Sequence, residues 1–187
     1  MTGRPVTAST ALPAGGLDNA VGRIVDPRGR AKAYRPLASS QREASVAAGL
    51  AAYARGDFYL AHEELEPAWM AADDPGERER LAGIIKLSAA FVHAARGNPA
   101  GVSTNLRGAR DRLARAHAAG ADGDLDLPAL LAGIDDRLAR VAAMPGIPAA
   151  AAGTLPDPPH DVAGPPGRAQ RPPLDLDPPA IPRRTRA

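Results

Sequence analysis

The sequence predicts an all-α fold: a compact antiparallel bundle of about five helices, with an irregular N-terminal arm and a disordered Pro-rich C-terminal tail. Three observations predict it. Hydrophobic content is 44%, much of it alanine, while aromatics make up only 3%. That suits a core of Ala and Leu on helices better than a β-sandwich, which draws on β-branched and aromatic residues. Between residues 39 and 144, apolar residues recur at helical spacing between strong start and stop signals. Residues 145–187 hold 12 of the 20 prolines, which opposes both helix and sheet.

The elements follow in order. Residues 1–38 are rich in Gly, Pro, Thr and Ala, lack helical periodicity and read as an arm. A first helix is expected from Ser40, where Ser40-x-x-Glu43 forms a capping box, to Gly56, with Val46, Leu50 and Tyr53 inward. A second runs from an Asp57 cap to about Ala72, with Pro67 inside it as a predicted kink. A third opens on Asp74, Pro75 and Glu77 and ends at Gly97. It is apolar nearly all round from Leu81 to Val92, as a central helix should be. A fourth starts at Asn98-Pro99 and runs to about Ala119, with Val102, Leu106, Ala109 and Leu113 inward. Arg107, Asp111 and Arg115 are spaced for i,i+4 pairs on its outer face. A fifth spans Pro128 to about Ala143 with Leu130, Leu131, Ile134, Leu138 and Val141 inward. Short loops between such helices favour antiparallel neighbours. The expected division is an arm over 1–38, a bundle over 39–144 and a tail over 145–187.

Charge and composition narrow the function classes. Residues 41–144 carry 12 Lys+Arg against 15 Asp+Glu, so the pI of 9.4 belongs to the two ends. This balance does not support a basic nucleic-acid-binding surface on the bundle. The segment Arg23 to Arg35 could touch phosphates, but no aromatic series accompanies it to stack bases. With no cysteine, disulfides and thiolate metal sites are excluded. No signal-peptide run follows Met1, and no stretch of about 18 apolar residues occurs. The expectation is a soluble cytoplasmic protein with no membrane partner; a homo-oligomer or a small-molecule ligand stays open.

One stretch suggests chemistry: Phe58-Tyr-Leu-Ala-His62-Glu63-Glu64-Leu-Glu66-Pro-Ala-Trp69. Positions 58, 62, 65 and 69 share a helical stripe, so His62 is expected in the apolar row with Phe58, Leu65 and Trp69. At about 100° per residue, Glu66 flanks that row, Glu63 reaches the rim and Glu64 points to solvent. The third helix offers Lys86 and His93, seven residues apart on one face. The chain has 21 Arg and only two Lys, so a lysine in Gly83-Ile-Ile-Lys86-Leu-Ser suggests a compact ammonium is required.

Two readings of these residues compete. In the first, His62, Glu66, Lys86 and His93 form an inter-helix polar cluster, with Trp69 beside it, that organises a pocket or docking face without catalysis and without a cofactor. In the second, His62, Glu66 and His93 bind a divalent metal and Glu63 is the general base of a hydrolase. That pattern resembles the H-E-x-x-H of zinc peptidases with the second histidine replaced by Glu66. Two further residues have simpler readings, Trp69 as core and His117 as a surface residue near a helix C-terminus.

Phe58, Ala61-His62-Glu63-x-x-Glu66-x-x-Trp69, Gly83-Ile-Ile-Lys86-Leu-Ser-Ala-Ala, His93, Gly97-Asn98 and Asn105-Leu-x-x-Ala109 together resemble the domain-of-unknown-function 309 family. The resemblance covers about residues 44–118. It implies a small all-helical fold, and family members are labelled as predicted metal-dependent hydrolases. Many of those resembling this motif carry Gln at the position of Lys86.

Overall fold

A computed structural model of the chain describes residues 37–144 and 172–184, together with the backbone of 23–25 and 31–33. The chain divides into two compact units, Met1–Tyr34 and Arg35–Ala187. In the first, strands β1 (Arg23–Val25) and β2 (Ala31–Ala33) pair antiparallel with Ile24 opposite Lys32. The composition of residues 1–38 predicts irregular chain here. The missed signal is β-branched Ile24-Val25 followed by the turn-forming Asp26-Pro27-Arg28-Gly29. Residues 1–22, 26–30 and 34–36 lie outside the described residues.

The second unit holds five helices: α1 (Ser39–Ala54), α2 (Phe58–Met70), α3 (Pro75–Ala95), α4 (Pro99–Ala118) and α5 (Leu127–Ala142). Four begin at side-chain caps. Asp57 accepts from Leu60 N–H at 3.1 Å, Asp74 from Glu77 at 2.5 Å, Asn98 from Gly101 at 3.1 Å and Asp126 from Ala129 at 3.0 Å. Each satisfies an N–H that the helix itself leaves orphaned. In three of the four, proline follows within the first turn, where its missing N–H costs nothing. The start of α1 differs from expectation. Its cap is Ala38, not Ser40, and Gln41 reaches back to accept the Ala38 N–H at 3.2 Å. Glycines close α1 and α3 at Gly56 (φ 82°) and Gly97 (φ 60°), where a left-handed residue is needed. α2 continues through Pro67 to Met70.

Each helix packs on its neighbour in sequence, and α3 and α4 make the most extensive pairing. The directions are antiparallel: Gly76 at the start of α3 lies against Ala119 and Ala121, while Gly101 at the start of α4 lies against His93. Glycine sets how close these helices come. A Cβ on Gly83 would stand 2.6 Å from Leu113 Cγ, and one on Gly49 would stand 2.5 Å from Leu65 Cγ. The core runs through all five helices; Leu65, Leu81, Phe91, Leu106, Leu113 and Ile134 are all at or below 2% exposed. At its α1–α2–α3 end three rings meet, Tyr53 and Phe91 each with its centroid 5.3 Å from that of Phe58. The basic residues of α4 reach across to other helices: Arg115 and Arg112 both pair with Glu79 of α3, and Arg110 with Asp135 of α5. Arg115 was expected to pair with Asp111.

The C-terminal expectation is corrected over 172–184. This segment is extended and lies on the bundle, with Leu174, Leu176 and Ile181 joined to the core. Proline denies it helix or sheet, but extended chain with an apolar residue at intervals can still bury those residues in a groove. Residues 145–171 and 185–187 lie outside the described part. Among the described residues, no helix is long and apolar enough to cross a membrane.

Candidate functional site on α2 and the α3–α4 seam

The most buried line of α2 is Ala61, Leu65 and Ala68, continued past its end by Ala72, each at 0% exposure. Of the expected apolar row Phe58, His62, Leu65 and Trp69, Leu65 is fully buried while Phe58, His62 and Trp69 are half-buried. The reason is steric. Gly49 of α1 lets Leu65 and the Ala61 carbonyl approach closely, so the small residues take the tightest contact and the larger rings flank it. His62 therefore sits at the edge of the core, its side chain 16% exposed, and Glu63 at the rim with 48%. Glu64 is half-buried rather than solvent-directed, and its carbonyl accepts from the Ser45 hydroxyl of α1.

Ligand-type atoms of His62, Glu63 and Glu66 all lie within 4.8 Å of one another. His62 Nδ1 is 3.3 Å from Glu63 Oε1. The carboxylate oxygen is the acceptor in this contact. Glu63, expected as a general base, is in contact with His62.

His93 is placed elsewhere. It stands in the last turn of α3, and its ring covers Gly101 of α4, where a Cβ would fall 2.6 Å from its Cγ and Nδ1. Asn98 Nδ2 donates to His93 Nδ1 at 3.1 Å while Asn98 Oδ1 caps α4. With Nδ1 accepting, the proton is on Nε2, and neither nitrogen offers a free lone pair in this tautomer. Burial, reinforced by the Arg96 charge, holds the imidazole below the usual histidine pKa. Lys86 follows the same seam. Its stem lies on Gly108, where a Cβ would come within 2.8 Å of Cδ. Two glycines seven apart on α4 thus receive two polar side chains seven apart on α3. Among the described residues, His93 belongs to no group of three ligand-type side chains that could hold a metal ion.

Sequence reasoning missed Asn98, Gly101 and Gly108 as parts of this arrangement. The signal was present: Gly101 and Gly108, inside a helix and spaced like Lys86 and His93, mark close approach. Also missed is a cluster at the other end of α4. His117 Nδ1 lies 3.0 Å from both oxygens of Asp122, whose side chain is only 5% exposed, and Arg184 lies 3.1 Å from the same carboxylate.

No curated protein and no solved structure matches the chain. Residues 46–105 match the family model described as Domain of unknown function (DUF309), covering α1 from Val46 through α2 and α3 to Asn105 of α4.

Proposed function

We propose that the protein is a non-catalytic helical-bundle module. In it, His62, Glu66, Lys86 and His93, with Trp69 beside them, form the polar framework that locks α2, α3 and α4 together and shapes a docking face along α2. One observation supports the reading: His93 lies against Asn98 and Gly101 at the α3–α4 turn and is not grouped with His62 and Glu66 among the ligand-type side chains. His62, Glu66 and Lys86 each take part in a polar, ring or electrostatic interaction as well, which supports a structural role for these polar groups. Pairing of Glu66 with Lys86 is part of this proposal. The purified protein is expected to carry no stoichiometric metal, and His62→Ala to lower its melting temperature by several degrees. Elemental analysis finding one tightly held zinc, manganese or iron per chain would overturn it.

A second reading is favoured by the grouping of His62, Glu63 and Glu66 within 4.8 Å: a divalent cation held on α2 by one imidazole nitrogen and carboxylate oxygens. It predicts metal content that disappears in His62→Ala and Glu66→Gln and persists in His93→Gln. Metal lost equally in all three would refute that assignment.

A further inference from the structure

We propose that the face formed by α1, α5 and the α4–α5 connection is a peptide-binding groove. Residues 172–184 are its resident ligand, and the same segment of a second copy competes for it. The segment reads Pro-Pro-Leu-Asp-Leu-Asp-Pro-Pro-Ala-Ile-Pro-Arg-Arg. The ligand class is an extended peptide with aliphatic anchors on both sides of a Pro-Pro pair, followed by arginines.

The manner of recognition supports this. Bundle side chains bind the main-chain carbonyls of three successive tail residues. Arg137 Nε donates to Asp177 O at 3.1 Å, a second Arg137 nitrogen to Pro178 O at 3.5 Å, and the Tyr53 hydroxyl to Pro179 O at 2.9 Å. Pro178 and Pro179 have no N–H, so these carbonyls are the polar main-chain groups that need partners there. A proline pair is already extended, which reduces the entropy lost on docking. Phenol and guanidinium donors that read carbonyls are indifferent to whether the peptide belongs to the same chain.

Side chains supply the rest. Leu176 and Pro179 are buried and Leu174 and Ile181 half-buried, while Asp175, Asp177, Pro178 and Ala180 are exposed. The ends are pinned by Leu174 N–H to Ala94 O and Arg184 N–H to Asp124 O, both at 2.9 Å. Arg183 pairs with Asp124 at 2.7 Å and Arg184 with Asp122 at 3.1 Å. The resident segment does not fill the groove. A cleft of about 480 Å³ remains between it and the α1 residues Ala47, Leu50, Ala51 and Ala54.

The test uses the full chain. Leu176→Asp with Ile181→Asp removes two anchors from the tail without touching the groove. This variant is expected to keep its helical circular dichroism and to bind a fluorescent peptide of residues 172–184 at one site. Binding should be at least ten-fold tighter than to the wild-type chain, whose own tail competes. Adding Arg137→Ala should weaken it at least ten-fold. No binding to a folded variant, or equal binding to wild type, overturns the proposal. If the variant unfolds, hydrogen exchange on the wild-type chain decides. A docked ligand predicts that the Leu174 and Arg184 amides exchange at least 100-fold faster than those of Leu87 and Leu106, by local opening. Equal protection would make the segment an integral part of the core and end the proposal.

Discussion

The Tyr53 hydroxyl donates a 2.9 Å hydrogen bond to the carbonyl of Pro179 across 126 positions of sequence. A single buried phenol thus joins the end of α1 to the C-terminal segment, beside the Tyr53–Phe58 ring contact. Tyr53→Phe keeps the ring and leaves the Pro179 carbonyl short of a donor. The expected loss is about 1–3 kcal/mol, the cost of a buried polar group left unsatisfied, read from urea unfolding. Burial raises the Tyr53 pKa well above 10.0, with the Arg137 charge opposing it. The neutral phenol is therefore favoured in the fold. Its contribution is fully present below pH 10, where the unfolded tyrosine is also neutral, and is lost as pH rises above 10 toward the folded value. In Tyr53→Phe this alkaline decline should be shallower.

His93 has the opposite pH signature. Burial first, and the Arg96 charge second, hold its pKa below 6.5. The unfolded chain then binds the proton more readily than the native one. The contribution of His93 is complete above about pH 6.5 and falls as pH drops from there through the folded value. Urea midpoints between pH 7.5 and 5 should show a steeper decline for wild type than for His93→Gln. An NMR titration of the ring should give its pKa below that of a histidine in a short peptide.

Gly83 permits the α3–α4 contact. On an open helix, alanine would be favoured over glycine by about 1 kcal/mol. Here its methyl would stand 2.6 Å from Leu113 Cγ and 2.8 Å from Cδ2, and overpacking costs about 1–3 kcal/mol. Gly83→Ala should therefore lower thermal stability by several degrees. A rise in melting temperature would mean that the two helices separate easily, contrary to the packing described.

Asp122 holds His117 at 3.0 Å and Arg184 at 3.1 Å from a nearly buried carboxylate. Asp122→Asn removes the charge that both partners use. The expected cost is about 1–3 kcal/mol. Limited proteolysis should also cut the C-terminal segment sooner in the variant than in wild type.

Helix positions were legible because their determinants are local. Asp57, Asp74, Asn98 and the glycines at 56 and 97 act within one turn of their own backbone, so a linear pattern carries them. The inward faces of α4 and α5 were legible for the same reason: Val102, Leu106, Ala109, Leu113, Leu130 and Ile134 are all fully buried. The α1 cap was not, because Ser39, Ser40 and Gln41 offer rival local bonds that differ by fractions of a kcal/mol.

The candidate site was legible in its residue types and not in its partners. His62, Glu63 and Glu66 lie within one turn and a half of a helix, so spacing alone brings them together. Whether His93 joined them depended on which neighbour the polar stripe of α3 faces. The answer lay in two glycines of α4 that gave Lys86 and His93 room. The same holds for residues 172–184. Proline content foretold the absence of helix and sheet, but not that Tyr53 and Arg137 would accept an extended chain.

By itself, then, the sequence determined the all-α class, the five helices and most of their caps and inner faces, since these follow from interactions spanning a few residues. Tertiary structure decided the long-range assignment of polar groups: Arg112 and Arg115 with Glu79, Arg110 with Asp135, Asp122 with Arg184. It also decided the docking of the C-terminal segment. Those pairings depend on which helix faces come into contact and on how closely glycine lets them approach. That is a property of packing in three dimensions, which no local pattern encodes.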